Sequence, residues 1–159
     1  MSFLRAKDYL KKFSLDKNII ELDVSTATVD DAANAIKCKK DEIVKTLSFI
    51  IDNKPILICV SGDSKVDNGK FKNEFYTKAK MIPPEDVERL IGHDVGGVCP
   101  FGINDDVDVF FDVSLKDKSF IYPACGNSNS VVKLELSNLE EIINYKKWVD
   151  ISKKWIKNR

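Results

Sequence analysis

Apolar residues near the start of the chain recur at helical spacing. Phe3, Ala6, Leu10 and Phe13 share one face while Arg5, Asp8, Lys11 and Lys12 lie elsewhere, which predicts an amphipathic helix over 3–14. Asn18 to Asp23 reads as a short strand. Thr28 then stands as a helix N-cap, with Asp30 and Asp31 in a first turn where the helix dipole favours negative charge. Ala32, Ala33, Ala35 and Ile36 continue that helix. Lys45 to Ile51 alternates, placing Leu47, Phe49 and Ile51 on one side, and Pro55 to Val60 is a nearly continuous apolar run. Asp52-Asn53-Lys54 between them suits a tight hairpin. A short helix is expected over 69–77 and another opening at Pro83-Pro84-Glu85-Asp86, with Pro84 at its first position and Gly92 ending it. Val107 to Asp112, Phe120 to Ala124 and Ser130 to Leu136 read as strands. Ser137 and Glu140 form a Ser-x-x-Glu box for a helix reaching about Tyr145. This irregular alternation of strands and helices predicts a mixed α+β sheet rather than a doubly wound parallel one.

Composition narrows the class. A chain of 159 residues with 43% apolar and 31% charged side chains fits one soluble globular domain over 1–159. Formal net charge is zero, from 25 basic and 25 acidic residues. A sequence-independent nucleic-acid binder is normally basic, so any nucleic acid is held by a local grip. The N-terminus lacks the apolar core of a signal peptide, and no stretch approaches a membrane span of roughly 18 apolar residues. A cytoplasmic protein without membrane association is expected. Cys38, Cys59, Cys99 and Cys125 lie far apart, which predicts free thiols rather than disulfides.

Three segments carry candidate chemistry. The first, Gly92 to Gly102, holds four glycines and one proline in eleven residues. Glycines let a backbone approach a ligand closely, and consecutive N–H groups in such a turn form an anion-binding concavity. In the second, Lys45-Thr46-Leu47-Ser48-Phe49, a lysine opens an otherwise apolar strand. Burial is expected from its flanks, and its cation either stands at a pocket mouth or snorkels at a sheet edge. The third, Tyr122 to Ser130, is a strand end entering a polar turn. Read alone, each is more simply an ordinary turn or sheet edge.

Taken in order, the segments resemble a known family. Lys45-Thr46-Leu47, then Gly92-x-x-x-Gly96-Gly97-Val98-x-Pro100-Phe101-Gly102, then Asp112 after a hydrophobic strand, then Ala124-x-Gly126 are similar to the YbaK/prolyl-tRNA synthetase-associated editing domains over residues 20–145. The resemblance implies a curved, barrel-like mixed β-sheet flanked by helices. It also implies hydrolysis of mischarged aminoacyl-tRNA, usually on tRNA-Pro, with alanine, cysteine or serine as the amino acid removed. Lys45 is then the functional lysine that holds the tRNA 3′ end or the reacting ester. Gly96 and Gly97 join it as catalytic backbone, with Thr46, Val98, Cys99, Pro100, Phe101, Gly102 and Gly126 shaping the substrate pocket. The implied partners are the aminoacylated 3′ end of tRNA and an aminoacyl-tRNA synthetase, with no metal or organic cofactor. Family members commonly carry serine where this chain has Cys99. No family role falls on His93, Cys125 or Asn127.

Other chemistries fit less well. A serine triad lacks Gly-x-Ser-x-Gly, and His93 is the sole histidine. Cys99, six residues from His93, offers a Cys–His pair or a thiol filling space. A zinc site lacks closely spaced ligand pairs. Residues 146–159 hold Lys146, Lys147, Lys153, Lys154, Lys157 and Arg159 against Asp150, with Trp148 and Trp155 interleaved. This segment either contacts tRNA phosphates and bases or forms a terminal helix burying Trp148, Ile151, Trp155 and Ile156 on one face. The residues alone also leave open a non-catalytic module for a tRNA end, a nucleotide or a synthetase, and a hydrolase of some other small ester or amide.

Overall fold

The computed structural model describes residues 2–154. Helix α1 (Ser2–Lys11) buries Ala6 and Leu10. It ends earlier than the apolar spacing predicts: Leu15 N–H reaches back to Leu10 O at 3.0 Å and Ser14 turns to φ 60°, which leaves Phe13 exposed. Strand β1 (Ile19–Glu21) follows. Helix α2 (Val29–Ile36) is capped as expected, with Thr28 Oγ1 accepting from Asp31 N–H at 3.0 Å.

Strands β2 (Ile43–Ile51) and β3 (Lys54–Ser61) form the predicted hairpin. Their register runs from Val44↔Ser61 to Ile51↔Lys54, so Asp52 and Asn53 alone make the turn. Both have positive φ, 51° and 64°, the left-handed pair that a two-residue hairpin requires. Strand β4 (Ser64–Val66), helix α3 (Asn68–Phe75) and helix α4 (Pro84–Ile91) come next. Gly92, at φ 104°, ends α4, with its N–H on Glu88 O at 2.9 Å.

Strands β5 (Asp108–Asp112), β6 (Phe120–Pro123), β7 (Ser130–Val132) and β8 (Leu134–Glu135), helix α5 (Leu136–Ile142), and strands β9 (Trp148–Val149) and β10 (Ser152–Lys154) complete the described chain. Six strands make one mixed, curled sheet in the order β8-β6-β2-β3-β5-β9. Two short pairs, β1-β7 and β10-β4, lie at its margins. The α+β class and the curved half-barrel follow from this mixture of parallel and antiparallel neighbours. Strand β3 is buried on both faces, and β2 is buried in part. Leu57, Cys59, Val109 and Phe111 face the larger core with Leu10, Ile91 and Phe101. Phe49, Ile58 and Phe110 face a smaller one with Phe71.

Three local expectations change. The run 130–136 is two strands, because the chain changes partner: Ser130–Val132 pair with β1, where Lys133 N–H still reaches Asn18 O at 3.1 Å, and Leu134–Glu135 pair with β6. Helix α5 starts at Leu136 and stops at Ile142. Asn138 Oδ1 accepts from Glu135 N–H at 3.0 Å, two residues ahead of the Ser137–Glu140 box, and Tyr145 instead stacks on Phe111 at 4.3 Å. The terminal segment is β9 and β10 rather than a helix, while Trp155 and Ile156 lie outside the described residues.

The cause of that last change is Asp112. Its fully buried carboxylate accepts from Ile151 N–H at 2.8 Å, Ser152 Oγ–H at 2.6 Å and Ser114 N–H at 3.0 Å. Backbone captured by a partner 39 residues away is unavailable to a helical ladder. Asp112→Asn keeps one acceptor oxygen and places an NH₂ against these donors. It is expected to lower unfolding stability by about 1–2 kcal/mol, read as a lower urea midpoint at unchanged slope.

Candidate functional site

The sheet opens where β2 and β6 part. They pair in parallel at Ile43↔Tyr122 and Val44↔Pro123 only. Beyond Pro123 the chain turns toward β7, with Ala124 bridging Val131, while β2 continues to a bridge between Phe49 and Met81. The gap between them is a cleft of about 150 Å³. Lys45, Thr46 and Leu47 form one wall; Tyr122, Ala124 and Val131 form the other. Gly96 and Val98 reach it from the glycine-rich loop, and Thr28, Val29 and Ala32 bring the N-terminal end of α2.

Lys45 is the cation of this cleft. Its Nζ donates to the carbonyl oxygen of Ser64, at the start of β4. An ammonium has three donors, so two remain for a ligand. Burial lowers its pKa from the usual lysine value, and the nearby Asp63 carboxylate opposes that shift. The N-terminus of α2 adds partial positive charge to the same cleft. A small cleft of mixed polar and apolar lining, with a half-buried lysine and a helix N-terminus, favours negative charge developing on a compact ligand.

The glycine-rich loop divides between cleft and core. Gly96 and Val98 face the cleft. Gly97 does not present free backbone groups: its N–H donates to Asp94 O at 2.9 Å and its carbonyl accepts from Gly126 N–H at 3.1 Å. Gly97 is instead packed tightly against the facing turn at Gly126 and Asn127. A Cβ there meets Asn127 N and the Gly126 carbonyl carbon at 2.2 Å. Cys99 and Phe101 are fully buried in the larger core, and Pro100 is buried beside a different hollow with Tyr9 and Ile103. Gly102 (φ 69°) and Gly126 (φ 85°) serve close approach to α1, against the backbone oxygens of Arg5 and Ser2. Cys99, Pro100, Phe101, Gly102 and Gly126 therefore support the loop from behind and do not line the cleft. The run Val98-Cys99-Pro100-Phe101 is apolar throughout, which was the signal that it returns to the core.

His93 is the brace between α1 and this loop. It is fully buried, with Nε2 2.5 Å from Phe101 O and Nδ1 2.7 Å from Ser2 Oγ. A carbonyl only accepts, so Nε2 carries the proton and Nδ1 accepts from the serine hydroxyl. Cys99 Sγ is 3.5 Å from Nε2, yet burial pushes its thiol far above the ordinary cysteine range. Without a thiolate the pair is no nucleophile. Among the described residues, no cluster of His, Cys, Asp and Glu is arranged to hold a metal ion.

Burial, and secondarily the Arg5 guanidinium, lower the His93 pKa below 6.5. The unfolded chain therefore binds a proton before the folded one does, and stability falls as pH drops below about 6.5. Between pH 7.5 and 5.5 this residue is expected to withdraw at most about 1.4 kcal/mol. Urea midpoints of wild type and His93→Gln at both pH values check it, because the variant loses that part of the pH dependence.

Residues 26–32 contribute a third of the cleft wall without having been connected to it from the sequence. Thr28 was legible as a cap, but no local pattern says what a helix N-terminus points at.

The sequence profile of the aminoacyl-tRNA editing domain matches residues 23–142. The chain belongs to the aminoacyl-tRNA editing domain family. It is 38% identical over 156 residues to the uncharacterised protein YwhH of Bacillus subtilis (strain 168), covering 98% of this chain and 99% of that one. Against the proline–tRNA ligase of Lactiplantibacillus plantarum it is 34% identical over 93 residues, 57% of this chain and 16% of the ligase. A crystal structure of a protein proposed as a trans-editing enzyme for prolyl tRNA synthetase superposes with a TM-score of 0.85 at 26% identity, covering 96% of this chain and 97% of that one. No helix among the described residues of this family member is long and apolar enough to cross a membrane.

Proposed function

We propose that this editing-domain protein is a trans-acting deacylase that hydrolyses the ester of a mischarged aminoacyl-tRNA, with a small amino acid on tRNA-Pro as its substrate. The observation that carries this reading is Lys45, a half-buried lysine among the residues that line a compact cleft. Thr46, Val98 and Ala124 bound the space beside Lys45, which suits an alanyl, seryl or cysteinyl group better than a branched or aromatic one.

The chemistry asks little of the protein. An aminoacyl ester is already activated. Water adds to its carbonyl carbon and the electron pair moves onto the oxygen. Collapse then breaks the bond to the ribose oxygen. The products are the free amino acid carboxylate, the tRNA hydroxyl and one proton. Lys45 steadies either the developing oxyanion or the adjoining 3′-terminal phosphate. The backbone of Gly96 and the N-terminus of α2 add dipoles, while Val98 and Thr46 shape the wall. Cys99 in place of the family's usual serine is no obstacle, since its side chain points into the core.

Synthetase pockets separate similar small side chains by only about 1–3 kcal/mol per methylene, which is the need such an activity meets. Likeness to the ligase segment supports tRNA-Pro and a synthetase as partners. The test is release of alanine, cysteine and serine from mischarged tRNA-Pro, with Pro-tRNA-Pro as control. Selective release from a mischarged form supports the reading. Salt-sensitive tRNA binding without release from any mischarged form points instead to a non-catalytic module.

A further inference from the structure

Strand β2 changes partners along its outer edge, and the change leaves one peptide unit open inside the cleft. Odd-numbered residues of β2 turn their backbone groups toward β3, as Gly62 N–H donating to Ile43 O at 2.7 Å shows at the strand's start. Even-numbered residues turn theirs outward. Ile82 N–H donates to Ser48 O at 3.1 Å, and Ile50 N–H donates to Lys80 O at 2.9 Å. At the other end, Val44 is matched to Pro123 of β6. Thr46 lies between these two partners. Its N–H and C=O point outward by the same alternation, into the cleft that Thr46 lines. Among the described residues, no loop, bridge or β6 residue pairs with them.

An open donor and acceptor on a sheet edge are a template for one more strand residue. An aminoacyl group has the matching pair, a donor on its α-nitrogen and a carbonyl beyond its Cα. Resting on the aminoacyl-ester reading above, we infer that the substrate docks on Thr46 as a single added β-residue. Its α-ammonium donates to Thr46 C=O, and its ester carbonyl accepts from Thr46 N–H. Directly opposed residues of an antiparallel ladder exchange the same two bonds.

Two consequences follow from the geometry. The Thr46 N–H holds the oxygen on which charge develops as water adds, which makes the Thr46 peptide part of the catalytic machinery. The substrate side chain stands on the same face of the sheet as the Thr46 side chain, whose Oγ1 is 3.8 Å from Cys59 Sγ on the larger core side. Val98 and Ala124 pack against that core and line the cleft, so they bound the space for the substrate side chain.

Amide hydrogen exchange followed by NMR tests the inference, with 3′-alanylamino-3′-deoxyadenosine as a ligand that resists hydrolysis. In the free protein Thr46 N–H is expected to exchange faster than Lys45 and Leu47, whose amides face β3. With ligand its exchange slows by at least about ten-fold while those two stay unchanged. The propionyl analogue, which lacks the α-nitrogen, binds more weakly. Replacing the Thr46 N–H by an ester oxygen lowers kcat on the mischarged tRNA by about 10²–10³. A Thr46 amide already protected in the free protein overturns the inference. So does one left unmoved while Val98 and Ala124 report bound ligand, or a backbone-ester protein with the wild-type rate. Loss of the whole response, with no resonance moved by the ligand, contradicts the aminoacyl reading first and this inference with it.

Discussion

Lys45→Ala is expected to fold normally and to lose about 10²–10³ of its deacylation rate, the usual effect of deleting one preorganised charge donor. The side chain is half-buried and contributes to folding through a single bond to the Ser64 carbonyl. Water can take that bond over when the side chain is shortened, so the urea midpoint stays close to wild type. Lys45→Arg keeps the charge but not the shape. A planar guanidinium does not reproduce the donor geometry of a compact ammonium, so only partial activity is expected. The pH profile carries a second signature. The protonated form is the active one, and burial lowers the lysine's pKa. Activity is thus lost as pH rises through a value below that of a free lysine. Rates of Lys45→Ala and wild type under single-turnover conditions, with matched circular dichroism, check the assignment.

Gly97→Ala is expected to have the largest effect on the fold around the site. Its added methyl meets backbone on Gly126 and Asn127, which cannot swing aside as a flexible side chain does. Those residues are in turn pressed against α1, where a Cβ on Gly126 meets Ser2 O at 2.5 Å. Relief on either side moves the loop that carries Gly96 and Val98. The expected loss is about 3 kcal/mol or more, at the upper end for an overpacked interior. At roughly 2–4 °C per kcal/mol in a chain of this size, thermal unfolding drops by about 6–12 °C. Deacylation falls with it, because the cleft wall shifts. Gly96→Ala provides the contrast. Its methyl meets only the Ser128 side chain at 3.2 Å, so stability changes little.

The parts of this structure legible in the sequence are those set by near neighbours. Asp52-Asn53 between two apolar runs specified the hairpin, and through it the placement of Lys45 at the start of an inner strand. Thr28, Pro84 and Gly92 marked helix ends because caps act within one turn. The order of the lysine and glycine segments pointed to the editing family. What the sequence could not show was what distant residues capture. Asp112 holds Ile151 and Ser152 in extended backbone, and that overrode a sound helical pattern in 146–154. The glycine-rich loop was expected to face substrate along its length. His93, Ser2 and Arg5 instead anchor much of it to α1, leaving Val95, Gly96 and Val98 in the cleft. The opposite wall, Tyr122 to Val131, and the α2 end arrive by tertiary folding, with no spacing rule that links them to Lys45.

The most direct test of the account is a single-turnover assay of deacylation against side-chain size. Glycyl, alanyl, seryl, cysteinyl, valyl and leucyl groups are placed by ribozyme on one tRNA-Pro and mixed with wild-type protein. The account predicts fast release of the alanyl, seryl or cysteinyl group and a steep fall at valyl and leucyl, all of it lost in Lys45→Ala. Release that ignores side-chain size, or that survives the loss of Lys45, would contradict it.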